Sequence, residues 1–415
     1  MIPTRSELPA VAATRHPRWP HESLDVRTLR ADGWQPTPFR DFVIKVHQRC
    51  NLACDYCYIY TMSDQSWRNR PAVMPAHVVR AAAERVGDHA RSHRLEQVRF
   101  ILHGGEPLLA GRDRLRSMVD TLRAALPPGC RGVFGLQTNG VLLDEAMLDT
   151  LQEQGVAVGV SLDGPPADND RHRRQANGRG SFPAVHRALT LLAEPRRRPA
   201  YAGLLCTIDP ATDPVACLET LLAYDPPAVD FLFPHANWQE PPRHSAPGTT
   251  PYADWLITVF DRWYDAEHQP TRIRLFESVI SLLLGGRSRS EQVGLSPVAV
   301  AVIESDGAVE QVDSLKSAYD GACETGLNVL SDPLDATLAH PGVVARQIGL
   351  RALADTCRAC PVHAVCGAGH YAHRYRPHDG FRNPSVYCAD LRRLVTHVNR
   401  RVGADLARLT EAHSP

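Results

Sequence analysis

Six short apolar runs, several rich in β-branched residues, recur along the first 240 positions: 41–48 (DFVIKVHQ), 97–105 (QVRFILHGG), 132–140 (GVFGLQTNG), 156–164 (VAVGVSLDG), 201–209 (YAGLLCTID) and 228–236 (AVDFLFPHA). Between them, at 75–92, 113–126, 144–155, 182–194 and 213–224, apolar positions return every three or four residues. The runs suit buried strands and the intervening period suits helices. Strand and helix in alternation predict an α/β protein with a parallel sheet wound by right-handed crossovers. Six units over about 200 residues suit a partial (β/α)6, TIM-like barrel better than a closed one of eight.

The polar residues that break the pattern fall at one place in each unit, just after the apolar run. Cys50, Cys54 and Cys57 follow the first, and His103-Gly104-Gly105-Glu106 the second. Gln137-Thr138-Asn139, Ser161 with Asp163, Thr207 with Asp209, and His235 with Asn237 close the remaining four. The carboxyl ends of parallel strands are where such folds build their sites, so these residues are expected to converge. Residues 1–38 show neither period and read as an arm, or a strap along the surface. The barrel unit is assigned to 39–240. The rhythm breaks at NWQEPPRHSAPGTTP, and 241–295 reads as a bridging, substrate-facing region. A loop-rich second domain is expected over 296–395, where five more cysteines lie, and a helical tail over 396–415.

The chain has 415 residues, with 46 basic and 46 acidic side chains. That balance gives no reason to expect a nucleic-acid partner. Of the basic residues only Lys45 and Lys316 are lysine, which reads as a base bias of the gene. No apolar run has the length of a membrane span, and the N-terminus lacks the apolar middle of a signal peptide. A cytoplasmic protein is expected. Eleven cysteines in a reducing compartment point to metal or redox work.

Cys50, Cys54 and Cys57 have the spacing C-x3-C-x2-C. Structural zinc and saturated four-iron clusters each take four protein ligands, so three thiolates leave one metal position open. Downstream, Cys357, Cys360, Cys366 and Cys388 read C-x2-C-x5-C-x21-C. Four thiolates would saturate an iron–sulfur cluster or hold zinc. Cys323 reads as a buried thiol or a stray ligand, and Cys130, Cys206 and Cys217 as packing residues.

With Tyr56 before its last thiol, the triplet resembles the defining motif of the radical S-adenosylmethionine (SAM) enzymes. The resemblance implies a [4Fe-4S] cluster on the three thiolates, with SAM bound at the fourth iron and cleaved to a 5′-deoxyadenosyl radical. It assigns Gly104, Gly105 and Glu106 to the methionine amino group. Ser161, Asp163 and Arg173 match positions for the ribose and carboxylate, and Tyr56, Thr138 and Asn139 join them as SAM contacts. The stretch SLDGPPADNDRHRRQANGRGSF (161–182) resembles the peptide-modifying branch with SPASM domains, which includes sulfatase maturases. Two departures stand out. His370 occupies a position where that branch carries a thiol, and no cysteine lies at 302–316. One auxiliary [4Fe-4S] cluster, on Cys357, Cys360, Cys366 and Cys388, is therefore expected, with zinc as the alternative.

FRDFVIKVHQRCNLACDYCYIY, FLFPHANW and CGAGHYAHRY resemble the FxsB-type maturases, which form cyclophane (triceptide) cross-links in ribosomal peptides, over residues 39–395. The resemblance implies hydrogen abstraction from the β-carbon of one residue and its attack on an aromatic ring two positions earlier. Joining two C–H carbons removes two electrons, so the second needs an acceptor. The final proton needs a base, for which Asp313, His235 and His370 are candidates by position. A precursor peptide is the expected partner, read by the barrel mouth, the 240–295 segment and a sheet edge. A reductant such as flavodoxin or ferredoxin is expected as well. The alternatives are a formylglycine-forming sulfatase-type maturase, a thioether-forming maturase, and a zinc-stabilised binding protein on a degenerate barrel.

Overall fold

Phe42, Ile44 and Val46 lie on one face of strand β1 (Asp41–His47) and are fully buried in the main core. Val43, Lys45 and His47 take the opposite face, as the two-residue period of a strand requires. The pattern repeats in β2 (Gln97–Gly104), where Val98, Phe100 and Leu102 join the core while His103 stands beside Lys45. One face of the sheet thus packs on helices and the other carries polar side chains.

The structure is a computed structural model and describes residues 18–412 apart from 244, 245, 247 and 289. Strands β1 and β2 run parallel to β3 (Arg131–Thr138), β4 (Val156–Ser161), β5 (Tyr201–Thr207) and β6 (Ala228–Leu232), in chain order. The crossovers carry helices α2 (Ala76–Ser92), α3 (Arg112–Ala124), α4 (Glu145–Glu153), α5 (Pro166–His172), α6 (Phe182–Leu192) and α7 (Pro214–Leu222). A shorter helix, α1 (Val26–Ala31), precedes the sheet, with the Asp25 carboxylate accepting from the amides of Arg27 and Thr28. The expected α/β architecture with an open barrel is what forms. The six strands stop where the glycines and polar residues begin. In the fourth run, Ser161 ends the strand and Gly164, at a positive φ of 105°, turns the chain into Pro165 and α5.

The sheet does not end with the sixth strand. A two-residue strand β7 (Arg272–Ile273) pairs with β6, between α8 (Pro251–Tyr264) and α9 (Arg274–Leu283). On the other side β8 (Val300–Ile303) lies parallel to β1, with Asp41 opposite Val300 and Ile44 opposite Ile303. Antiparallel β9 (Ala308–Glu310) and β10 (Glu324–Asn328) follow, giving ten strands in the order β10-β9-β8-β1-β2-β3-β4-β5-β6-β7. The loop-rich region assigned to 296–395 therefore begins as a continuation of the barrel sheet.

A long helix, Cys388–Ala412, closes the chain, starting eight residues before the expected tail. It packs on α8, where Phe260 meets His397 edge-on at 5.9 Å between ring centres. The N-terminal arm, as far as it is described, is a strap. Trp19 is buried with Val312, Leu315 and Phe381, and the Arg382 guanidinium lies 4.8 Å from its ring centre. Residues 1–17 of the expected arm lie outside the described residues.

Candidate active site

The loop after β1 is held by its neighbours' backbones. Gly105 and Glu106 donate their amides to the carbonyls of His47 and Arg49, at 2.8 and 3.0 Å. A side chain at Gly105 would meet the Tyr60 hydroxyl at 1.8 Å and the Arg49 carbonyl at 2.6 Å. These glycines thus let the loop after β2 lie directly on the chain that leads into Cys50. On the far side, Ala53 donates to Arg174 O at 2.6 Å, which pins the cysteine loop to the segment after α5.

Cys50, Cys54 and Cys57 are half-buried and form no disulfide. Burial pushes the Cys50 thiol up to about 11 and the Cys54 thiol up to about 12. A metal entering here displaces protons, after which thiolates are the ligands. Cys50 Sγ already accepts from the Leu52 amide at 3.4 Å and from Asn139 Nδ2 at 3.6 Å. Such N–H···S bonds tune cluster ligands.

The expected SAM contacts form two linked groups. Glu106 is fully buried and accepts from Leu108 N (3.0 Å), Thr138 Oγ1 (2.8 Å) and Asn139 N (2.9 Å). It therefore staples the turn after β2 to the turn after β3, with one acceptor site on Oε2 left over. In the second group the Tyr56 hydroxyl donates to Asp163, and Arg173 Nη1 donates to the Tyr56 oxygen at 2.8 Å. Arg173 Nε is buried without a hydrogen-bond partner. An orphaned guanidinium N–H beside three open thiols fits a carboxylate-bearing ligand. Ser161 sits apart, taking a 3.0 Å bond from Gln137 Nε2. His172, which the sequence reading passed over, clamps Asp55 at 3.0 Å and Asp209 at 3.1 Å, and these bonds raise its pKa.

The three base candidates take different partners. Asp313 follows β9 and lies 2.5 Å from Lys45 Nζ, with its other carboxylate oxygen buried and unpartnered. His103 is next to this pair, pushed down to about 4 by burial and by the Lys45 charge. His235 and His370 instead join His373 and Tyr58. The His235 ring is 4.5 Å from Tyr58 and 5.7 Å from both other imidazoles. Burial pushes His235 and His370 down to about 3, so both are neutral near pH 7. A cavity of about 290 Å³ opens beside them, lined by Tyr56, Met62, Pro234, His235, Pro241 and Tyr252 among others. Arg243 and Glu240, from the expected substrate-facing stretch, also border it.

Cys357, Cys360, Cys366 and Cys388 all line a second cavity, of about 300 Å³. Burial raises Cys357 and pushes Cys366 up to about 12. Cys388 opens the long C-terminal helix, and burial, then the neighbouring Cys360, raise its thiol as well. Cys323 is fully buried, with its thiol donating to Val312 O at 3.2 Å, as a packing residue would be. Cys206 and Cys217 are buried with sulfurs 3.7 Å apart, and Cys130 is half-buried at the core's edge.

Lys45, Tyr58 and His373 went unread in the sequence. So did Arg70, Glu304, Glu310 and Lys316, which form a buried ionic network next to Asp313. The lysine count was the available signal. Both lysines are almost wholly buried in that network, so base bias accounts for the arginines and not for these two exceptions.

Comparison with known proteins agrees with this geometry. A model of the radical SAM superfamily matches residues 44–201. A serine-type anaerobic sulfatase-maturating enzyme of Klebsiella pneumoniae is 31% identical over 358 residues, 83% of this chain and 85% of that protein. Among solved structures, native anSMEcpe with bound AdoMet has a TM-score of 0.76 at 23% identity, covering 89% of this chain and 99% of that one. Its complex with AdoMet and the Cp18Cys peptide gives 0.75 at 21% identity, with the same coverage. Among the described residues no helix is long and apolar enough to cross a membrane. The chain belongs to the radical SAM superfamily, as a homologue of the anaerobic sulfatase-maturating enzymes, and its cofactors are SAM and a [4Fe-4S] cluster.

Proposed function

We propose that this enzyme oxidises a ribosomal precursor peptide, joining the β-carbon of one residue to the aromatic ring of the residue two positions earlier. The observation that carries this reading is the cavity beside the cysteine loop. Its proline, tyrosine and methionine walls and neutral His235 suit an aromatic ring, while Asp55, His172, Asp209, Glu240 and Arg243 give the same cavity polar walls for the peptide around it. Cys50, Cys54 and Cys57 would hold the first cluster, and Arg173, whose Nε has no protein partner, would bind the methionine carboxylate. Tyr56, Gly104, Gly105, Thr138, Asn139, Ser161 and Asp163 shape the remainder of that pocket, with Glu106 fixing the turns that build it. Cys357, Cys360, Cys366 and Cys388 hold one auxiliary [4Fe-4S] cluster.

When bound, these groups supply a 5′-deoxyadenosyl radical that removes one hydrogen atom and an acceptor for one further electron. What this chain must still do is take a proton. Asp313, with one carboxylate oxygen free of protein partners, is the base we favour. Lys45 at 2.5 Å holds that carboxylate in place. His235, pushed far below neutral pH, serves as an uncharged cavity wall, and the equally neutral His370 packs against it.

Similarity to the sulfatase-maturating enzymes favours a second reading, oxidation of a serine or cysteine side chain to formylglycine. The same hydrogen abstraction and the same base would serve it. Co-expressing the enzyme with candidate precursor peptides, followed by tandem mass spectrometry, separates the two. Loss of two hydrogens with no fragmentation between an aromatic residue and one two positions on is the expected result. Full fragmentation with a hydrazide-reactive carbonyl would give the second reading instead, and a sulfur bridge from cysteine would mean a thioether.

A further inference from the structure

The two ammonium groups of this chain end in one buried network behind Asp313. Lys316 Nζ lies 3.0 Å from Glu310 Oε2 and 3.2 Å from Glu304 Oε1, with Asp64 at 3.9 Å. Arg70 grips the same two glutamates, Glu310 at 2.6 Å and Glu304 at 2.7 Å. It also reaches Asp306, whose side chain is 37% exposed, at 3.4 Å. The Gln48 amide donates to Glu304. Carboxylate oxygens of Glu304, Glu310 and Asp313 lie within 4.8 Å of one another, a gap that one water spans. That spacing would also suit a metal ion, but Lys45, Lys316 and Arg70 already bring three positive charges to it.

The charges do not balance. Four buried carboxylates, on Asp64, Glu304, Glu310 and Asp313, face three buried cations, on Lys45, Arg70 and Lys316. A leftover negative charge in such surroundings is costly, and one proton removes it. Burial, and then the charge of Glu304, lift the Glu310 carboxyl to about 7. Glu304 is equally buried, but Lys316, Lys45 and Arg70 outweigh that and hold it low. The other ionisable neighbours are Tyr58 and His235 near Asp313, the Cys323 thiol near Lys316, His103 near Lys45, and Glu324, which is paired with Glu310 across the strands but exposed.

We propose that Glu310 is the proton store of the reaction, receiving from Asp313 the proton that Asp313 takes from the substrate. This rests on Asp313 being the base in the reading above. The protonated Asp313 carboxyl gives its proton to the Glu310 carboxylate, and the negative charge returns to Asp313 beside Lys45. No electron moves in this step. Glu310 acts through Asp313 and is a positioning residue, empty of its proton at the start of each turnover. Product formation must then fall as pH drops through about 7.

The test uses the reconstituted holoenzyme, the precursor peptide and the variants Glu310→Gln, Glu310→Asp and Asp313→Asn. Glu310→Gln is expected to keep its iron and its peptide-independent release of 5′-deoxyadenosine, while product forms about tenfold more slowly or worse. Its rate should lack the limb near pH 7, and Glu310→Asp should restore a limb. A Glu310→Gln enzyme with the wild-type limb would overturn the proposal. Asp313→Asn forming product at the wild-type rate would overturn the underlying base assignment together with it. If Glu310→Gln does not fold, the wild-type holoenzyme carries the test alone. Its infrared carboxylic-acid band should titrate near neutral pH, and a band unchanged between about pH 6 and 8 would exclude Glu310 as the store.

Discussion

The residues that can be read from spacing are those whose chemistry is local. Three thiols within eight positions declare a metal site, and Gly104-Gly105-Glu106 declares a tight turn. What the turn approaches is not local. The backbone at Gly105 lies against the Arg49 carbonyl and the Tyr60 hydroxyl, so Gly105→Ala forces the cysteine loop to move. We expect that variant to fold, because the site lies at the strand ends and not in the core, and to lose cluster iron and 5′-deoxyadenosine release. Iron per chain measured beside a melting curve checks this, and normal iron with normal 5′-deoxyadenosine release would contradict it. Lys316 shows the limit from the other side. No pattern around it forecasts its role: Glu304 and Glu310 come from the neighbouring hairpin of β8 and β9, but Asp64 and Arg70, which complete the network, arrive from the loop after β1.

At the scale of elements, hydrophobic period located all six barrel strands and, between them, α2, α3, α4, α6 and α7. It missed α5, a charged segment with little apolar stripe, and the short β7 and β8, which are too brief to show a period. It also placed the last helix late, because Cys388 was read as a ligand and not as a helix start. That helix couples packing to chemistry. Phe260 of α8 is fully buried against Phe276, Trp263, Tyr264 and His397. Phe260→Ala should cost about 3–5 kcal/mol through the cavity it leaves. It should also loosen the helix that presents Cys388, so auxiliary iron should fall while SAM cleavage persists. Loss of both activities in proportion, or of neither, would argue that the helix does not hold the fourth thiol.

For the whole molecule, the buried histidines set the acid limit. His103 is held at about 4, and His235 and His370 at about 3, all by burial first. The unfolded chain binds these protons below about 6.5 and the folded chain refuses them. Their contribution is complete above that value and is lost as pH falls, by about 2 kcal/mol for each histidine at pH 5. Glu310 works the other way, since its raised pKa adds stability as pH falls below about 7 and takes it away as pH rises. Between pH 7 and 5 the histidines outweigh it, His373 included, since burial pushes that imidazole well down too. The urea midpoint, measured anaerobically, should therefore drop from pH 7 to pH 5, and His235→Gln should lessen the drop. Equal midpoints would mean that these imidazoles take protons within the fold.

The sequence by itself determined the α/β alternation, the strand ends as the place of the site, and both sets of thiols. Each of these is a matter of period or spacing along one stretch of chain. The tertiary structure alone decided that the C-terminal region extends the barrel sheet through β8, and that Asp313 pairs with Lys45 while His235 and His370 pack on each other. It also brought both lysines to one buried cluster of carboxylates. Strand pairing and charge burial depend on which distant segments meet, and the energy of an ion pair depends on the solvent it has lost. Neither quantity is written in any single stretch of residues.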